Sequence, residues 1–178
     1  MISKNYQSGR SMIEMLGVLA IIGVLSVGGI SGYSKAMAKY KLTKAQDQMT
    51  MLLMNIRAAY ATSPSYSDLT TENVANWNLA PSDMVVGTSL YSTFGGAVTV
   101  AASGTGNVYF SITMEGLSDD ACRSLATFDW GADGLVSITV GSSTPHKPGD
   151  ADNGIPISLA SGASYCSGND TDIKWVYY

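Results

Sequence analysis

The feature that most constrains the fold is a run of twenty residues without a charge, at positions 15–34. About twenty apolar residues are needed for an α-helix to cross a lipid bilayer, so this run has the length of a membrane-spanning helix. Five glycines interrupt it and make it only moderately hydrophobic. A secretory signal peptide would have a shorter apolar core followed by a small-residue cleavage site, whereas here the helical pattern continues.

The continuation has the pattern of an amphipathic helix. Apolar residues recur at steps of three and four from Leu42 to Tyr60, which is the helical period. We therefore predict one helix of about fifty residues, from Ser11 to near Ala61, with Pro64 just beyond its end to stop it.

The rest of the chain has the pattern of a mixed α+β head. Short strand-like runs occur at residues 97–102, 108–114, 135–140 and 174–178, and residues 104–107 between the first two predict a hairpin turn. Short helices are expected near residues 72–77 and from Ser118, with Asp119 and Asp120 in the first turn. The sequence thus predicts a long helix that leads into a single α+β head.

Charge is divided unevenly along the chain. Residues 1–61 carry seven Lys or Arg against two acids, a net charge of +5, whereas residues 62–178 carry three against twelve, a net charge of −9. An acidic main part argues against nucleic-acid binding, which would show clustered Lys and Arg. One histidine and two cysteines are too few for most zinc sites, so we expect no metal and no cofactor. Charged residues at 13% suit a secreted or assembled protein better than a cytosolic enzyme.

Glu14 lies where the apolar run begins. An ionised carboxylate there would cost several kcal/mol if it were left unpaired in lipid. It could instead stay among the lipid headgroups and stabilise the start of the helix. A short polar leader with Lys4 precedes it, followed by the segment Gly-Arg-Ser-Met-Ile-Glu at residues 9–14.

This segment resembles the type III signal of type IV pilins and pseudopilins, in which a membrane peptidase cuts after the glycine. The resemblance implies a cut between Gly9 and Arg10, Glu14 as the fifth residue of the mature chain, and N-methylation of Arg10. The family usually has Met, Phe or Leu where this chain has Arg10. The resemblance also implies a helical homopolymer in which the new α-amine of one subunit pairs with Glu14 of its neighbour. The implied partners are the prepilin peptidase, an assembly platform in the inner membrane and other copies of the chain.

The head is similar to that of the PilS-like type IVb major pilins of conjugative thin pili and enteric adhesive pili. The similarity rests on Phe-Gly-Gly-Ala-Val-Thr-Val at 94–100, Phe-Ser-Ile-Thr at 110–113 and Asp-Ala-Cys-Arg-Ser-Leu at 120–125. It implies the α+β type IV pilin fold, in which the C-terminal half of the long helix packs on an antiparallel sheet. The expected divisions are a cleaved leader at 1–9, an apolar half-helix at 10–37 and a head at 38–178.

Cys122 and Cys166 are the only cysteines. An isolated pair outside the cytoplasm is typical of a disulfide, and pilins commonly have one in the C-terminal region. A catalytic thiol is the alternative, but no base lies near either residue in the sequence.

Three further features have competing interpretations. Gly28 and Gly32 form a small-xxx-small pair, which allows close helix packing in a membrane or simply weakens the helix. His146 is expected to be an exposed loop residue. The segment Asp-Ala-Asp-Asn-Gly at 150–154 is expected to be a solvated turn, since a calcium loop of this type needs a distal Glu.

Three functional hypotheses follow from these observations. The first is a major pilin, held in the bacterial inner membrane as a precursor and assembled into an extracellular pilus for conjugation or adhesion. The second is a minor pilin or a type II secretion pseudopilin. The third is a signal-anchored extracytoplasmic enzyme or binding protein, favoured only by the lysines at 35, 39, 41 and 44, which follow the apolar run against the positive-inside rule.

Overall fold

The computed structural model describes residues 8–131, 133–168 and 171–178. The chain divides into two compact units, residues 1–40 and residues 41–178. Helix α1, Ser8–Ala59, is continuous, which confirms the single long helix that the sequence predicts. It ends five residues before Pro64.

The part of α1 that belongs to the first unit buries none of its large apolar side chains. Between residues 12 and 30 these side chains are all more than half exposed, whereas Met37 is partly buried. The exposed ones are Met12, Ile13, Met15, Leu16, Val18, Leu19, Ile21, Ile22, Val24, Leu25, Val27 and Ile30. Among the described residues, α1 is the one helix that is long and apolar enough to cross a membrane, judged by length and composition. An apolar surface of this size marks a site of contact with lipid or protein.

The second unit is built on a six-stranded antiparallel sheet. The strands are β1 (Val85–Val86), β2 (Ser89–Tyr91), β3 (Ala97–Ser103), β4 (Tyr109–Leu117), β5 (Leu135–Val140) and β6 (Thr171–Tyr177). Their order in the sheet is β1-β2-β3-β4-β6-β5. Three short helices complete the unit: α2 (Thr71–Asn76), α3 (Asp119–Ala126) and α4 (Leu159–Tyr165).

The C-terminal half of α1 contributes one face to the core of this unit. Ala45, Met49, Leu52 and Ile56 are fully buried at steps of four, three and four residues. Met49, Leu52 and Ile56 belong to one hydrophobic cluster with the inward side chains of β4 and β6, Trp175 among them. Since burying a Met, Leu or Ile contributes about 1.5–3 kcal/mol, this face holds the helix on the sheet. The expected pilin-like arrangement of helix and antiparallel sheet is confirmed.

Strands β1 and β2 and helix α4 were not predicted from the sequence. The two strands have only two and three residues, too short to show alternation. Helix α4 is rich in Ser and Gly and has no apolar periodicity, but the hydroxyl of its N-cap Ser158 accepts a hydrogen bond from the N–H of Ser161.

A disulfide joins Cys122 in α3 to Cys166, the C-cap of α4. The two Cα atoms are 5.7 Å apart and both residues are buried. This bond is the one implied by the resemblance to pilins. It connects α3, which contacts the sheet, to the segment that leads into β6.

A polar network fixes the loops around β1 and β2 to α1. Gln48 is buried, and its Nε2 donates to Oδ2 of Asp83 at 2.9 Å. Its Oε1 accepts a hydrogen bond from Oγ1 of Thr93 at 2.8 Å. Lys44, one helical turn before Gln48, places its Nζ 2.7 Å from the same oxygen of Asp83. Lys44, aided by the Gln48 amide, holds the pKa of the Asp83 carboxyl below its ordinary value.

Loss of this carboxylate should weaken the second unit in a pH-dependent way. Asp83→Asn is expected to lower the free energy of unfolding at neutral pH by about 1 kcal/mol or less, because the Asp83 side chain is 42% exposed and solvent screens its pair with Lys44. Because the folded-state pKa is lowered, the stabilisation is complete above the unfolded-state value of about 4. It is lost as the pH falls through the lower folded-state pKa.

Urea unfolding of the detergent-solubilised chain at neutral and acidic pH measures this effect. Asp152→Asn, which removes an exposed carboxylate, is the matched control and should change stability little. If both variants are equally stable at neutral pH, the network does not hold the loops.

Removing the disulfide should destabilise the second unit more strongly. The double variant Cys122→Ala with Cys166→Ala is expected to lose about 4 kcal/mol in the chain-entropy model, because the bond closes a loop across a separation of 44 residues. The same urea titration measures the loss, with Ser164→Ala, an exposed change in α4, as the control. A double variant as stable as that control would show that the cross-link is dispensable.

Candidate assembly site

Glu14 lies on α1 in the first unit, exposed and surrounded by exposed apolar side chains. Its neighbours Ile13 and Met15 are 74% and 61% exposed. It is the only acidic residue of α1 before Asp47. Within the described side chains it has no cationic partner, since the ion pairs found there join Lys44 to Asp83 and Arg123 to Asp120. A carboxylate in such an apolar surface needs a partner once water is excluded.

The predicted cleavage site lies at the start of this helix. The backbones of Gly9 and Arg10 belong to the first turn of α1. Their side-chain surroundings, and residues 1–7 of the predicted leader, lie outside what the structure describes. Cleavage and N-methylation therefore stay predictions.

Gly28 and Gly32 have open surroundings in the single chain. A Cβ atom built on either glycine would meet nothing within 4 Å. Packing within the chain therefore does not require a glycine at these positions, although each weakens the helix by roughly 1 kcal/mol relative to Ala. Close approach of another helix and local flexibility both remain explanations for the pair.

The expectation that His146 is exposed was wrong. His146 is buried, and its ring centroid lies 5.4 Å from that of Tyr165. Its backbone N–H donates to the carbonyl of Ile138 at 2.7 Å, and its carbonyl accepts from the N–H of Ile138 at 2.9 Å. The chain after β5 turns at Gly141 and folds back along the free edge of that strand, which buries the ring.

The acidic segment at 150–154 forms a turn. Oδ1 of Asp150 accepts hydrogen bonds from the N–H groups of Asp152 and Asn153, at 3.0 and 3.2 Å. These bonds lower the pKa of the Asp150 carboxyl. Among the described residues, no group of three or more His, Cys, Asp or Glu could hold a metal ion.

Arg57 is a structural residue that the sequence analysis did not single out. It lies near the end of α1, and its Nη2 donates to the backbone carbonyls of Asp133 and Tyr178 at 3.0 and 3.3 Å. Its guanidinium lies 5.3 Å from the ring centroid of Tyr177, whose hydroxyl pKa is raised by burial. The partners are 76 and 121 residues away, so no local pattern could have indicated them.

Comparison with known proteins gives the context for this site. The family described as PilS N terminal matches residues 39–177. The chain is 25% identical over 185 residues to the major structural subunit of bundle-forming pilus from Escherichia coli O111:H-, covering 99% of this chain and 96% of the relative. It is also 25% identical to the toxin coregulated pilin of Vibrio cholerae, over 70% of this chain and 58% of that protein.

Solved pilin structures share the fold. A type IV b pilin from Salmonella typhi aligns with a TM-score of 0.57 and 20% identity, over 77% of this chain and 97% of that one. TcpA, a type IV pilin from Vibrio cholerae El Tor, aligns with a TM-score of 0.56 and 16% identity, over 78% and 99% of the two chains. Because the family match spans residues 39–177, the chain belongs to the PilS family of type IV pilins. These proteins are structural subunits of pili and not enzymes.

Proposed function

We propose that the chain is the major structural subunit of a type IV pilus, used for conjugation or adhesion. The observation that carries the proposal is the uncovered apolar surface of α1 between Met12 and Ile30, with Glu14 at its start. Similarity over nearly the whole length to the major subunit of another pilus supports a major pilin over a minor pilin or a pseudopilin.

In the proposed function, the apolar surface is buried in two different environments, first in lipid and then among other helices. Before assembly, lipid of the inner membrane surrounds the helix, because an apolar span of this length is stable there. After assembly, the corresponding helices of other copies surround it in an extracellular filament. The transfer between these states needs a prepilin peptidase and an assembly platform in the inner membrane as partners.

Cleavage between Gly9 and Arg10 supplies a cationic partner for Glu14, which has none among the described side chains. A new α-amine has a pKa of about 8 and is mostly protonated near neutral pH. In the filament, the amine of one subunit pairs with Glu14 of its neighbour, so that each buried charge is matched. A subunit out of register leaves an unmatched carboxylate, which selects the correct register.

Neutralising Glu14 should separate processing from assembly. Glu14→Gln keeps the shape of the helix start, so insertion and cleavage should continue. Assembly should be poor, because removing one partner of a buried pair costs about 3–5 kcal/mol. Shearing cells and comparing filament with membrane-bound mature subunit measures the effect.

Asp47→Asn is the control for this experiment, since Asp47 is the other acidic residue of α1 and is exposed. It should assemble as the unchanged protein does. Abundant filaments from Glu14→Gln would refute the pairing mechanism.

Blocking the predicted cut should stop the chain at the precursor stage. Gly9→Val should leave full-length protein in the membrane, because a β-branched side chain obstructs close approach of the peptidase to the backbone. Immunoblotting of membrane fractions distinguishes precursor from mature chain. Gly17→Ala, which has open surroundings in the same helix, should be cleaved normally. Mature product from Gly9→Val would place the cut elsewhere.

A further inference from the structure

At the end of the apolar run and just beyond it, α1 carries two tyrosines and two lysines with exposed side chains. Tyr33 and Tyr40 are 67% and 59% exposed, and Lys35 and Lys39 are also exposed. We call these four residues, all in the first unit, the interfacial band. The tyrosines are seven residues apart and share one face of the helix. The lysines are four apart and, at 100° per residue, share another face, about 100° to 160° around the helix from the tyrosines.

The position of the band along the helix matches the thickness of a bilayer. Lys35 lies twenty-one positions after Glu14, which is about 32 Å at the rise of an α-helix. The hydrocarbon core of a bilayer is about 30 Å thick. When Glu14 lies at one boundary of the hydrocarbon, Lys35 therefore lies at the other.

The chemistry of the band matches that of lipid headgroups. Tyr is enriched where helices leave the hydrocarbon, since its ring is apolar and its hydroxyl is polar. Lys extends its apolar stem along the helix and places its ammonium among the phosphates. An acidic surface on a second copy would attract the lysines but would not account for the two exposed tyrosines on either side of them. The combination favours lipid.

We propose that the interfacial band binds the headgroups of acidic phospholipids on the side of the membrane where the head lies. The inference rests on the proposed function, because it needs the membrane-held stage. Residues 62–178 carry a net charge of −9, which an acidic lipid surface repels. In the sequence, Lys35 and Lys39 come between the apolar run and that head, and their attraction to phosphate offsets the repulsion. This gives a role to lysines that oppose the positive-inside pattern.

Lipid selectivity in vesicles tests the proposal. The full chain is reconstituted in phosphatidylcholine vesicles containing spin-labelled phosphatidylglycerol or spin-labelled phosphatidylcholine. Electron paramagnetic resonance then measures how much of each lipid associates with the protein. The unchanged chain should prefer phosphatidylglycerol, and Lys35→Gln with Lys39→Gln should remove the preference, by up to about fivefold per lysine at low salt. Lys35→Arg with Lys39→Arg should keep it.

A head lysine supplies the matched control. Lys147→Gln removes the same charge from an exposed residue of the second unit and should leave the preference intact. Equal preference in the Lys35/Lys39 Gln variant and the unchanged chain would overturn the proposal, as would no preference in the unchanged chain. Inorganic phosphate should compete no better than chloride at equal ionic strength. Stronger competition would identify a site for free phosphate and overturn the lipid assignment.

Alkaline carbonate extraction of the same vesicles separates this inference from the proposed function. If the chain resists extraction yet shows no preference for phosphatidylglycerol, only the proposed lipid binding by the interfacial band is wrong. A chain that is extracted lacks the membrane-held stage, and both proposals are then wrong.

Discussion

The apolar surface of the first half of α1 has to be buried, and this is the main physical constraint on the molecule. Its large side chains are more than half exposed, and burial of such surface is the main favourable term in folding and association. The second half of the same helix meets this requirement within the chain, by packing Met49, Leu52 and Ile56 against the sheet. The first half has to meet it outside the chain, in lipid or among other helices. A single helix thus serves both folding and assembly.

Under the proposed function, the second unit has to stay folded while its helix moves from lipid into a filament. Its core includes Met49, Leu52 and Ile56 of α1, the polar network at Asp83 fixes the loops to that helix, and the disulfide joins α3 to the end of α4. Arg57 adds a connection between the end of α1 and the residues beside β6. Each of these contacts involves residues from Lys44 onward, so none depends on the apolar half of the helix. Its acidic surface favours solubility.

Local patterns in the sequence predicted those elements whose causes are local. The three- and four-residue spacing around Leu52 indicated α1, alternation indicated β4, and the isolated cysteine pair with the family resemblance implied the disulfide. The roles of Glu14 stay predictions. The partners of Gln48 and Arg57 could not be predicted, because Asp83 and Tyr178 are brought to them by the folded chain. His146 was assigned to an exposed loop because nothing in the flanking residues indicates that they fold back on β5.

N-terminal mass spectrometry of filaments sheared from the cell surface tests the central claim most directly, since one spectrum reports both filament membership and the cut. We expect this chain to be the dominant protein and to begin at Arg10, with a methylated α-amine. A chain that begins at Met1, or that is absent from the filaments while abundant in the membrane, would contradict the account.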